Sequence, residues 1–234
     1  MTPTIDLVGA GPGDPLLLTR RAARLLAEAD VVVADRPSLA PVVALARPGA
    51  ETVYVGRRGQ RRAWDAAAVA DLLAARARAG RRVVRLKSGD PFVCSRGAEE
   101  VADLAERGIA CRVTPGVSAA TAAPLAAGTP AGSPVTVASG DRDPRAAPVP
   151  WEDLADPAAS LVVLTGRARQ GAIAARLTAA GLPSDTPAAV VHGAARPDTR
   201  VVTTTVAGLG ATRLPPPAAV VIGPHPEGRP GAHP

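Results

Sequence analysis

Four places along the chain carry residue types that could do chemistry. One is Val8-Gly9-Ala10-Gly11-Pro12-Gly13-Asp14-Pro15, a glycine-rich turn that directly follows an apolar run. A second is Lys87-Ser88-Gly89-Asp90-Pro91, and a third is Thr114-Pro115-Gly116-Val117-Ser118. The fourth is Asp35-Arg36, at the end of Val31-Val32-Val33-Ala34. A glycine-rich turn after a first strand often cradles a pyrophosphate. This one is built against that use. The dinucleotide pattern wants a third glycine where Asp14 stands. A carboxylate there opposes phosphate at a helix start, where an anion needs bare N–H groups. Pro12 removes one of those donors outright.

The loop therefore suits a ligand with no phosphate. S-adenosylmethionine, whose reactive centre is a cationic sulfonium, meets that requirement. Asp35 keeps a dinucleotide alternative open, because a carboxylate at the end of a second strand can bind a ribose hydroxyl.

The elements that position these segments are legible from the pattern. β-branched runs at 5–8, 31–34, 52–55, 83–86 and 111–113 alternate with alanine-rich helical runs at 19–29, 38–46, 65–79 and 97–107. Thr19 and Asp65 are expected N-caps, and Gly80 and Gly108 expected helix stops. Such alternation predicts an α/β fold with a parallel sheet covered by helices. In open α/β sheets ligands bind beyond the carboxyl ends of the strands, which is where all four segments fall. After Pro115 the texture changes. A short helix is expected at 118–127 and another at 171–180. Strands are expected at 135–138, 161–164, 188–191, 201–205 and 218–222. The sequence thus predicts two α/β domains, 1–115 with a parallel sheet and 116–223 with a mixed one. Residues 224–234 read as a flexible tail.

Composition narrows the function classes. Of 234 residues, 47% are hydrophobic, which excludes a disordered chain. No apolar run reaches the roughly 18 residues of a membrane span. The first residues lack a basic leader, so the expectation is a cytoplasmic protein. The net charge is +6, almost all of it arginine, since Lys87 is the only lysine. Nucleic acid is the obvious partner for such a balance. However, only 2% of residues are aromatic and the arginines are scattered, which disfavours base stacking. A small polyacid suits the arginine fork better. Cys94 and Cys111 match no zinc spacing and are expected to be packed thiols rather than a disulfide. His192, His225 and His233 have no metal-ligand spacing, and no metal is predicted.

Beyond these readings, the chain resembles the tetrapyrrole methylases. Val8–Pro15 with Leu18-Thr19 matches the family's opening block, and Asp30-Val31-Val32-Val33-Ala34-Asp35-Arg36 the next. Arg82-Val83-Val84-Arg85-Leu86-Lys87-Ser88-Gly89-Asp90-Pro91-Phe92 matches a third block, followed by Arg96-Gly97-Ala98-Glu99-Glu100 and Pro115-Gly116-Val117-Ser118-Ala119-Ala120. The nearest subgroup is uroporphyrinogen-III C-methyltransferase.

The resemblance implies a two-domain homodimer that holds S-adenosylmethionine in a cleft between its domains and releases S-adenosylhomocysteine. It implies a cofactor set of Pro12, Ser88, Gly89, Asp90, Val93, Ser118, Ala119, Thr165 and Gly193. Asp35 falls at the family's base position, and Arg57 where a lysine is usual, so both are carried as catalytic residues. The implied reaction is double C-methylation of uroporphyrinogen III to precorrin-2, on the way to sirohaem or cobalamin. Departures cluster on the tetrapyrrole side. Arg57 cannot shuttle a proton, although it can clamp a carboxylate. Arg61 and Arg62 replace histidines, Ser88 a glycine, Cys94-Ser95 an aromatic–glycine pair, and Thr165 a methionine. Arg57, Arg58, Arg61 and Arg62 offer a carboxylate-binding surface. The alternatives are a methylase of another tetrapyrrole, a catalytically impaired cofactor-binding relative, and an RNA methylase.

Overall fold

A computed structural model of the chain describes residues 3–56, 64–129, 134–140, 150–164 and 169–223. The chain divides into two compact units, Met1–Ser118 and Ala119–Pro234, where the sequence placed the division near Pro115.

The first unit alternates strictly. Its elements are β1 (Thr4–Gly9), α1 (Arg20–Glu28), β2 (Val31–Ala34), α2 (Ala40–Val43), β3 (Glu51–Tyr54), α3 (Ala66–Arg78), β4 (Val83–Lys87), α4 (Gly97–Glu106) and β5 (Ala110–Thr114). The strands form one sheet in the order β3-β2-β4-β1-β5. Every pairing is parallel, with Ile5 beside Val83 and Cys111, and Val31 beside Glu51 and Val83. Both faces are covered, as an all-parallel sheet requires. On one face Ile5, Val31, Val33 and Val83 pack against Val69, Leu73 and Ala77 of α3 and Leu104 of α4. On the other, Val8, Val32, Val84 and Leu86 pack against Ala22 and Leu26 of α1 and Val42 and Val43 of α2.

Local chemistry fixes the helix ends. The Thr19 hydroxyl accepts from the Ala22 N–H at 3.1 Å, and Asp65 Oδ1 from Ala68 at 2.7 Å. Gly80 and Gly108 terminate α3 and α4 in the left-handed region, at φ 74° and 70°. The helix expected over 38–46 is shorter. It is a 3-10 turn at Pro37–Leu39 followed by the single turn α2. Pro48 biases its predecessor away from helical backbone, and Gly49 turns the chain at φ 81°.

The second unit contains α5 (Ala119–Ala126), β6 (Val135–Ser139), α6 (Trp151–Leu154), β7 (Ser160–Leu164), α7 (Gln170–Ala179), β8 (Pro187–His192), β9 (Arg200–Thr205) and β10 (Ala218–Ile222). Its sheet runs β6-β7-β10-β8-β9. Only β6 and β7 pair in parallel; the other neighbours are antiparallel. Trp151, Ile173 and Leu177 fill its core against Leu161, Val163, Val190 and Val220. Among the described residues no helix is long and apolar enough to cross a membrane. Cys94 and Cys111 form no disulfide.

Candidate functional site

Because the first sheet is wholly parallel, the carboxyl ends of all five strands lie along one edge. Three of the chemistry-bearing loops are locked together there. Ala10 donates to the Lys87 carbonyl at 2.8 Å. Gly11 and Gly89 then exchange backbone hydrogen bonds, at 3.2 Å and 2.8 Å, forming an isolated antiparallel bridge. Gly11 and Gly89 both have left-handed φ, 68° and 69°, which only glycine adopts without strain. Gly9, Gly89 and Gly116 pack main chain to main chain. A Cβ on Gly9 would lie 2.5 Å from the Gly116 nitrogen and 2.7 Å from the Gly89 oxygen. These glycines are small because of one another.

Asp90 completes the junction. Its Oδ1 accepts from the Phe92 N–H at 2.8 Å and its Oδ2 from the Gly116 N–H at 3.1 Å. Both carboxylate oxygens thus tie the β4 loop to itself and to the β5 loop. Asp14 also serves its own turn, since Oδ1 accepts from Leu16 at 2.8 Å and caps the 3-10 turn Pro15–Leu17. The Leu17 and Leu18 N–H groups donate to the carbonyls of Asp14 and Pro15. Three of the turn's N–H groups, those of Leu16, Leu17 and Leu18, are thus already bonded within it.

Asp35, just beyond β2, is held from two sides. Oδ1 accepts from Arg85 Nη2 at 2.6 Å, and Oδ2 accepts from the Ser88 N–H at 2.9 Å. Its own N–H donates to the Leu86 carbonyl at 3.1 Å. A side chain on Gly56 would collide with the Asp35 carbonyl oxygen, so glycine at the end of β3 lets the two chains approach. Burial alone would raise the Asp35 pKa. The charges of Arg85 and Lys87 and the N–H donors of Ser88 and Arg85 outweigh burial, and the carboxyl sits below its ordinary value. Asp35 is therefore an ionised carboxylate near neutral pH.

Behind Asp35 lies a buried charge cluster that the sequence reading did not single out. Arg85 pairs with Glu100 through Nε at 2.8 Å, and Lys87 Nζ donates to Glu100 Oε1. Arg85 and Lys87 are only 3% and 5% exposed. A signal for it was present. β4 is the central strand of a sheet covered on both faces, yet it carries charges at i and i+2, which share a face. Such charges need buried partners.

Among the described residues, two polar atoms at this edge lack a hydrogen-bond partner. Ser88 Oγ, in the β4 loop, and Thr114 Oγ1, at the end of β5, are buried without a hydrogen bond. Native structures rarely leave such groups unsatisfied, and both fit a rim built to receive a polar ligand.

The first unit thus brings together Asp35, Ser88, Gly89 and Asp90, with half-buried Pro12 in the β1 loop that bridges to Gly89. Val93 follows in the segment before α4, and Ser118 ends the unit. Ala119 opens α5 and Gly193 follows β8, both in the second unit. Gly193 has φ 56°; its N–H donates to Pro217 and its carbonyl accepts from Arg196 at 2.9 Å. Arg57 and Thr165 lie outside the described residues, as do Arg58, Arg61, Arg62 and the tail at 224–234.

The model of the tetrapyrrole (corrin/porphyrin) methylases matches residues 4–210. The chain belongs to this family. It is 41% identical over 212 residues to a siroheme synthase of Azotobacter vinelandii, covering 88% of the chain and 46% of the relative. It is 42% identical over 230 residues to siroheme synthase 1 of Klebsiella pneumoniae subsp. pneumoniae, covering 95% of the chain and 49% of the relative. The chain therefore spans about half the length of the curated relatives it matches. Among solved structures, uroporphyrin-III C-methyl transferase from Thermus thermophilus, complexed with S-adenyl homocysteine, superposes with a TM-score of 0.79 at 38% identity. That match covers 94% of this chain and 92% of the solved chain.

Proposed function

We propose that this methylase transfers methyl groups from S-adenosylmethionine to two ring carbons of uroporphyrinogen III, giving precorrin-2 and S-adenosylhomocysteine. The observation that carries the reading is the locked rim of the first sheet. Its loops are bonded to one another through Gly11, Gly89, Asp90 and Gly116, Asp14 sets a carboxylate against phosphate at the first turn, and the Ser88 and Thr114 hydroxyls are buried without a hydrogen-bond partner. The likeness to the Thermus thermophilus transferase supports the same assignment.

The locked loops of Pro12 and Ser88–Asp90 support a cofactor held at the rim of the first sheet; Val93, Ser118, Ala119, Thr165 and Gly193 are proposed on the family resemblance alone. When bound, S-adenosylmethionine supplies an electrophilic methyl group on sulfur. The protein's part is to fix geometry. A rigid, pre-bonded rim aligns donor and acceptor without ordering cost at the moment of reaction, the main source of acceleration in a direct displacement. The attacked ring carbon already bears a side chain, so it gains the methyl group and holds no proton to lose. Positive charge develops on the nitrogen-bearing part of the ring, and the ring system then sheds a proton from nitrogen or an adjoining bridge carbon. An ionised Asp35 stabilises that charge and takes up the proton at a carboxylate oxygen. Arg57 is proposed to clamp a substrate carboxylate. On the same reading the enzyme works in the cytoplasm as a homodimer, as the family resemblance implies.

The test is anaerobic incubation of the purified protein with uroporphyrinogen III and methyl-labelled S-adenosylmethionine. Label in a product with the precorrin-2 spectrum supports the assignment. Cofactor binding without labelled product, followed by turnover of another tetrapyrrole, would replace uroporphyrinogen III as substrate. Absence of calorimetric heat with S-adenosylhomocysteine would remove the cofactor.

A further inference from the structure

Asp35 and Glu100 share two cations, and they share them unequally. Arg85 gives Glu100 two contacts, Nε to Oε2 at 2.8 Å and Nη2 to Oε1 at 3.1 Å, but gives Asp35 only Nη2. Lys87 donates to Glu100 and stands 3.7 Å from Asp35 Oδ1. The remaining Arg85 nitrogen, Nη1, donates to the carbonyls of Val33 at 3.3 Å and Leu86 at 3.2 Å, anchoring the guanidinium to both strands. The four formal charges cancel, as buried ions must. Apolar residues of the same volume would hold the sheet to its helices at least as well. The visible product of this arrangement is the fixed carboxylate of Asp35 at the rim.

We infer that Arg85 is a positioning residue that sets the direction of the Asp35 carboxylate, and that Glu100 draws Arg85 and Lys87 back so that Asp35 keeps its capacity to accept a proton. This inference rests on the proposed reading of Asp35 as proton acceptor and deepens it. The charged groups facing Asp35 among the described residues are Arg85 and Lys87 from β4, Glu100 of α4 across them, and Arg36 next in the chain; β3 reaches it through the neutral backbone of Gly56. Two substitutions therefore act in opposite directions. Without Arg85, Asp35 loses its nearest cation and one orienting donor, so protonation becomes easier. Without the Glu100 charge, both cations turn to Asp35, and protonation becomes harder.

The experiment compares Arg85→Gln, Arg85→Lys, Glu100→Gln and Asp35→Asn in the whole chain, with circular dichroism and thermal melting as the check on folding. The Asp35 carboxyl, assigned by its loss in Asp35→Asn, is titrated by carbon-13 NMR, and methyl transfer to uroporphyrinogen III is followed across the same pH range. Arg85→Gln is expected to move the Asp35 midpoint up by about one pH unit or more. It should lower kcat on the order of 10- to 100-fold, as a misaligned group does, with KM for S-adenosylmethionine nearly unchanged. Arg85→Lys should recover part of the rate. Glu100→Gln should move the midpoint down. Midpoints that move in the same direction, or that do not move in folded variants, would overturn the inference. If the Arg85 variants do not fold, Glu100→Gln decides alone, and an unmoved or raised midpoint sinks the proposal. A wild-type rate in Asp35→Asn would remove Asp35 as proton acceptor, while the titrations still judge the division of cations.

Discussion

Gly9 and Gly116 meet backbone to backbone, so close that a Cβ on Gly9 would stand 2.5 Å from the Gly116 nitrogen. Neither atom belongs to a side chain that could swing aside. Gly9→Ala is therefore expected to lower the unfolding free energy by about 1–3 kcal/mol and to weaken S-adenosylhomocysteine binding by displacing the β5 loop. Urea unfolding reads the first effect and calorimetry the second. Unchanged stability would mean that the junction yields more easily than its geometry implies.

Asp90 spends both oxygens on backbone donors, Phe92 and Gly116. Asp90→Ala leaves both N–H groups without that acceptor and should cost about 1–2 kcal/mol. Asp90→Asn keeps one acceptor oxygen and should fall between. Thermal unfolding of the two variants orders them. If both match the parent, water replaces the carboxylate at no loss.

Ser88 carries a buried hydroxyl with no partner. Ser88→Gly removes it. Stability should hold or rise slightly, because an unsatisfied group is lost. If the hydroxyl serves the cofactor, affinity for S-adenosylhomocysteine should fall about 3- to 10-fold, the worth of one neutral hydrogen bond. Equal or tighter binding in the glycine variant would assign Ser88 no ligand contact.

Asp35 and Glu51 both sit below their ordinary carboxyl values, Asp35 through Arg85 and Lys87 against the penalty of burial, Glu51 chiefly through its hydrogen bonds with Arg76. A depressed folded pKa gives stability that is fully present above the unfolded value and lost as pH falls through the folded one. Stability should therefore be level near neutrality and decline once pH drops below about 4. Asp35→Asn should flatten that decline more than Glu51→Gln, because the Glu51 pair is partly exposed and screened. Urea midpoints measured across the acid range test the order.

Burial pushes the Cys111 thiol up to about 11. Near pH 8 only about one thiol in a thousand is then ionised, and the thiolate is the reactive form. Modification of Cys111 by iodoacetamide should be far slower than that of an unperturbed cysteine, and peptide mapping over time would show it. Rapid labelling of Cys111 in the folded protein would contradict this.

The strand–helix rhythm of the first unit was legible because a sheet covered on both faces favours apolar, β-branched strands; 31–34 is such a run, and 83–86 is one apart from Arg85. Caps were legible for the same local reason, as Thr19 and Asp65 need only their own helix. Where the outcome hung on a competing local signal, the reading slipped. Pro48 and Gly49 cut the helix expected over 38–46. The short helix at Trp151–Leu154 was passed over although Glu152 and Asp153 sit in its first turn, where acids favour a helix start. At the site, the rim loops could be placed from strand ends alone. The Arg85–Glu100 pairing could not, since it joins residues of a strand and a following helix through the third dimension. Asp14 reads from the sequence as repelling phosphate and Asp90 as a cofactor residue; the structure adds that Asp14 caps its own turn and that Asp90 ties the β4 loop to itself and to the β5 loop.

That self-bonding of Asp14 has a consequence for choice among metabolites. ATP, NAD and S-adenosylmethionine share an adenosine, so recognition of the nucleoside alone would admit all three. At this turn Pro12 and Pro15 offer no N–H, and those of Leu16, Leu17 and Leu18 are consumed internally. A nucleotide would have to bring its phosphates up to a carboxylate at a turn where five of the main-chain positions offer no free donor. Selection between abundant adenosine-bearing molecules can thus be exercised by refusal, through one acidic side chain that never needs to touch the molecule it lets in.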